Sequence, residues 1–154
     1  MQNKYKLPPD VRKSVLHLVE GYERRRKKIT ALERDITALD GARFETHGSE
    51  RVYTPSGKGS TGDPTEVKAM RLVKLHESFD YKCVRAIEDA LAALPIGHYP
   101  PELAEKIRRT ILISCAIGKR FKFRYSGITE IEVAHFYRLR SQFLYTVAEK
   151  LDFI

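Results

Sequence analysis

The stretch TEIEVAHFYRLRSQFLYTVAEKL, residues 129–151, gathers side chains able to hold an anion. At about 100° per residue in a helix, His135, Arg138, Ser141, Gln142 and Tyr145 share one flank. The other side carries an apolar stripe of Val133, Phe136, Tyr137, Phe143, Leu144, Val147 and Leu151. An arginine donates twice to a guanine edge, a glutamine pairs with adenine, and serine, histidine or tyrosine reaches phosphate oxygens or base edges. No acid stands between Glu132 and Glu149, so no carboxylate would oppose a phosphate field on that flank. The plain alternative is a packing helix whose polar side meets water. Arg140 falls inside the apolar stripe and must either snorkel or pair with an acid from another helix.

The charge around this helix points the same way. The chain carries +8 at neutral pH with a pI near 9.5, a balance that favours a polyanionic partner. Residues 1–40 and 95–154 each hold +4, whereas 63–94 hold −1. Between Lys106 and Arg124 there are seven basic residues and no acid, including Lys119, Arg120, Lys122 and Arg124 just ahead of the helix. In KRFKFRYSG basic and aromatic residues alternate, which suits a short strand, a wing or a distorted helical turn. Ser126-Gly127 then supplies a tight turn. Thr129-x-x-Glu132 has the form of a capping box, with Ile128 and Val133 at the staple positions.

The elements that must position this face are helical. A first helix is expected over about 8–40, with Val11, Val15, Leu18, Tyr22, Ile29, Leu32, Ile36 and Leu39 at coiled-coil-like spacing. Arg25 occupies the one core position lacking an apolar residue. The run Arg24 to Lys28 reads either as a phosphate-contacting patch or as a solvated face offset by Glu20, Glu23 and Glu33. Residues 41–62 hold five glycines and no helical period, and read as a flexible loop. Its GKGSTG is not a phosphate-binding loop: Lys58 precedes the glycine, and no strand comes before it.

Asp63-Pro64-Thr65-Glu66 opens a second long helix, over 63–94, with Leu72, Leu75, Phe79, Cys83, Ile87, Ala90, Leu91 and Leu94 inward. PIGHYPP breaks the chain. A third helix runs from Pro101 to about Ile117, burying Leu103, Ile107, Ile111, Leu112 and Cys115 before Gly118. The expected fold is therefore all-α: a long N-terminal helical hairpin or coiled coil over 1–94, and a basic helix-turn-helix-like domain over 95–154.

The segments GDPTEVKAMRL, PPELAEKIRRTILISCAIGKRF and HFYRLRSQFLYTVAEKLDFI resemble the late transcription regulators of phages and prophages of the RinA/ArpU type, whose helix-turn-helix is akin to sigma-factor region 4. The resemblance spans roughly residues 63–154 and attaches to Phe136, Tyr137, Arg138, Arg140, Phe143 and Ala148 to Leu151. It implies a sequence-specific regulator that binds promoter-region double-stranded DNA and activates phage late genes in the cytoplasm of a bacterial host. The N-terminal helices would then mediate a homodimer through 8–40 and 63–94, or contact RNA polymerase. KRFKFRY departs from the compact scaffold helix expected before the turn. Two other readings stay open: a small-terminase-type DNA-packaging component, and a coiled-coil protein–protein adaptor.

Catalysis is not expected. The histidines at 17, 47, 76, 98 and 135 lack ligand spacing, so no metal and no cofactor is implied. Cys83 and Cys115 fit buried thiols rather than a disulfide framework. MQNKYKLPPD has no apolar core of signal-peptide type, and no stretch reaches the length of a membrane span, so a cytoplasmic location without membrane attachment is expected.

Overall fold

The computed structural model describes residues 4–45 and 64–154, with side chains over 4–38 and 65–154. Six α-helices follow one another: α1 Pro9–Glu20, α2 Tyr22–Glu45, α3 Pro64–Glu77, α4 Phe79–Ala92, α5 Pro101–Ile117 and α6 Val133–Lys150. The described residues contain no strand, so the fold is all-α. GKGSTG, Asp63 and most of the glycine-rich loop lie outside the described residues. α2 itself continues to Glu45, past the expected stop at 40. Gly41 alone costs about 1 kcal/mol, and the Ala-Arg-Phe-Glu that follows can extend a helix.

Both expected long helices are broken once. Gly21 (φ −83°, ψ 2°) ends α1 and turns its N–H to the carbonyls of His17 and Val19. Glycine has the least to lose by leaving the helix there. The second break is at Ser78. Its hydroxyl donates to the Leu75 carbonyl (2.6 Å) and accepts from the Tyr81 amide (3.3 Å), closing α3 and capping α4 with one side chain. α1 and α5 start alike, on a Pro-Pro pair: Pro8 and Pro100 both sit at φ −55°, ψ 145°, and Pro9 and Pro101 begin the helix without needing an amide.

The chain divides into two compact units, Met1–Glu23 with Cys83–Ile154, and Arg24–Lys82; neither ends at residue 94. In the first, α1 packs on both α5 and α6. Val15, Ile87, Ile107, Ile111, Phe136, Phe143 and Val147 are fully buried. Burying each of these side chains stabilises the fold by on the order of 1.5–3 kcal/mol. Polar ties cross the same unit: Tyr22 donates to Glu88 (3.2 Å), and Arg108 donates to the Leu91 carbonyl near the end of α4 (3.3 Å).

The second unit buries Ile29, Ile36 and Leu75. Arg25, at the interrupted core position, has a side chain only 11% exposed and bonds Asp80 at 3.3 Å; Lys28 reaches the other carboxylate oxygen at 2.8 Å. Phe79, expected inward, is 56% exposed: it is the first residue of α4, one turn ahead of Cys83, where the buried stripe of that helix begins.

Candidate nucleic-acid interface

The linker between α5 and α6 joins two 3₁₀ turns, Gly118–Arg120 and Phe123–Tyr125, through extended backbone at Phe121 and Lys122. Its alternation is real although no strand forms. Phe123 is buried and Phe121 half-buried, and both lie against Phe136 of α6, with ring centroids 4.8 and 5.8 Å away. Lys119, Arg120, Lys122 and Arg124 point outward and are exposed. Arg124 lies over the Tyr125 ring at 4.8 Å, and Tyr125 is 75% exposed. The aromatic residues thus fix the linker to the first turn of α6, and the cations between them form a basic rim.

Gly118 (φ 70°) and Gly127 (φ 76°) bracket this rim in backbone conformations that favour glycine. Lys106 of α5 donates to the Gly127 carbonyl (2.9 Å), and Ser126 accepts from the Ile128 amide (3.2 Å). Residues 118–132 are far longer than the three- or four-residue turn of a helix-turn-helix. The expected capping box is not made. Glu130, not Glu132, takes the Thr129 amide (2.9 Å), and the helix begins at Val133 with Glu132 as an N-cap that makes no side-chain bond. The staple fails with it: Ile128 is buried, but Val133 is 52% exposed.

The polar flank of α6 is not one open surface. Arg138 is exposed; His135, Ser141, Gln142 and Tyr145 are half-buried. The Tyr145 ring meets Tyr5 edge to face at 5.6 Å, and Ser141 borders a groove against the N-terminal segment and α1. The cause is the packing of α1 on α6, which covers the distal end of the flank. On the apolar side, Tyr137 is 39% exposed, whereas Leu139, absent from the expected stripe, is only 2% exposed. Its spacing from Phe136 and Phe143, three and four residues, was the available signal.

Among the described residues half-buried Arg140 meets a hydroxyl rather than an acid. Its Nε donates to the buried Ser114 hydroxyl (3.0 Å), which donates onward to the Ile111 carbonyl (2.7 Å). Burial pushes the neighbouring Cys115 thiol up, against the opposing pull of Arg140. Cys83 and Cys115 are both buried, and neither forms a disulfide. Among the described residues no group of three His, Cys, Asp or Glu side chains could hold a metal ion, and no helix is long and apolar enough to cross a membrane. Comparison with known protein families, curated proteins and solved structures gives no match for this chain.

Proposed function

We propose that the protein binds double-stranded DNA through the basic rim and the exposed start of α6, and acts by binding rather than catalysis. Within that reading it is a sequence-specific transcription regulator of the phage late-gene type that its C-terminal residues resemble. One observation carries the proposal: four exposed cations, Lys119, Arg120, Lys122 and Arg124, stand on the acid-free stretch 118–125, which packs through Phe123 on Phe136 of α6, two residues before exposed Arg138. Cations of this kind draw in phosphates and release counterions, and a nearby arginine supplies a bidentate donor for a base edge. Gln142, His135, Ser141 and Tyr145 contribute less in this reading than Arg138, because their side chains are partly covered.

The test is anisotropy titration of fragments selected from the host phage genome, across a salt series. Arg138→Ala is expected to weaken the selected site by about 1–3 kcal/mol and random DNA much less. Lys122→Ala is expected to weaken both and reduce the salt slope by about one. Equal loss on both DNAs in the first variant removes the base-reading role of Arg138; retention that ignores salt ends the DNA reading.

A second reading concerns the Arg24–Lys82 unit. Met70, Val73 and Phe79 are 56, 54 and 56% exposed, which favours a protein partner or self-association for that unit. Oligomer size in solution separates the classes: a dimer suits regulation, and a closed ring of many subunits suits a DNA-packaging component.

A further inference from the structure

A half-open groove of about 430 Å³ lies between the N-terminal segment with α1 and the distal part of α6, all within one compact unit. That volume is within the ordinary range for small-molecule sites, roughly 300–1,000 Å³. Its lining has two characters. Lys6, Arg12 and Lys13 bring three positive charges, and none of the described residues lining the groove is acidic. Half-buried Leu16 brings apolar surface, and Leu7 and Leu144, 8 and 2% exposed, form a floor continuous with the core. The wall is anchored: Leu7 is buried, and Tyr5 sits edge to face on Tyr145 of α6.

We propose that this groove is a binding site for a small amphiphilic anion, an apolar body ending in a carboxylate or phosphate. The apolar body lies along Leu16 and Leu144, and the headgroup meets Arg12 and Lys13 at the mouth. Arg12 is the natural fork for a two-oxygen headgroup, since its guanidinium presents paired donors in a plane. Ser141 borders the same groove and can donate a further hydrogen bond. The site goes beyond DNA binding and does not depend on it. Its cations are those of α1 and the N-terminal segment, not those of the 118–132 linker.

Calorimetric titration of the full chain with decanoate, in the absence of DNA, tests the site. Saturable one-to-one binding is expected, with decyl phosphate binding comparably. Decanol and inorganic phosphate should each bind at least about tenfold more weakly, because each supplies only half of the recognition. Arg12→Glu with Lys13→Glu should weaken decanoate by at least about tenfold, and Lys119→Glu should leave it unchanged. Leu16→Trp, which fills the groove without altering charge, should abolish binding and keeps the test sound if the charge-reversed variant unfolds. Decanol binding as well as decanoate, indifference to both the Arg12/Lys13 and Leu16 changes, or no saturable decanoate binding would each overturn the proposal.

Discussion

Arg140 shows how a residue that breaks a pattern finds its reason in a partner distant in sequence. Helical phase places it among apolar neighbours, and sequence reasoning allowed only solvent or an acid. The partner is Ser114 on α5, a residue only 1% exposed, whose hydroxyl donates its own proton to the Ile111 carbonyl. The hydroxyl therefore offers Arg140 a lone pair, and a neutral acceptor holds the cation. Some of the residues on which the resemblance rests prove equally structural: Phe136, Phe143 and Ala148 are fully buried. Of the five residues on the polar flank of α6, only Arg138 is exposed. Arg140→Met is expected to cost about 1–2 kcal/mol in urea unfolding, since a charge-assisted bond to a buried hydroxyl is lost. Ser114→Ala made in the Arg140→Met background should then cost much less than in the parent, a coupling that independent contributions would not produce.

Helices were legible here because their apolar periods are strong; their ends were legible only where the terminating group lies within the local pattern. The Pro-Pro starts of α1 and α5 are of that kind. Ser78 ends one helix and starts another where neither glycine nor proline stands, and the apolar period runs on across it. The capping-box pattern at Thr129 misled for a related reason: Glu130 is nearer than Glu132 and takes the amide first. The linker was half legible: its alternation left a strand, a wing or a distorted helical turn open, and the chain takes two 3₁₀ turns, because alternation requires only that successive side chains diverge. Gly127 sets where that linker meets α6. A Cβ there would stand 3.4 Å from the Lys106 ammonium, a distance the flexible lysine can relieve, but φ of 76° remains strained for any L side chain. Gly127→Ala is expected to lower stability by about 1–2 kcal/mol. Gly127→Asn should cost less than Ala, because asparagine tolerates that region better. Thermal melts of the two variants against the parent decide it.

At the scale of the whole chain, net charge was readable at once, and the division into units was not. The units part at Glu23/Arg24 and Lys82/Cys83, inside α2 and α4 and a few residues past the breaks at Gly21 and Ser78, not at the breaks themselves. What the sequence did offer was an anomaly, Arg25 at a core position, and Asp80 explains it across a large gap in sequence. Lys28's hydrogen bond, with Arg25 adding to it, holds the Asp80 carboxyl below its usual range despite the opposing effect of burial. A carboxyl whose folded pKa is depressed contributes stability that is complete above its unfolded value, near 4, and is lost as pH falls through the lower folded value. Asp80→Asn is therefore expected to lower the melting temperature by a constant amount above about pH 5. Between pH 4 and lower values that deficit should shrink, because the parent loses its charged clamp and the variant has none to lose. Melts of both proteins from pH 7 down to pH 3 make the comparison. A deficit that stays constant down to pH 3 would mean that the cost of the variant lies in packing, and that Arg25 is held in the core by something other than the charge on Asp80.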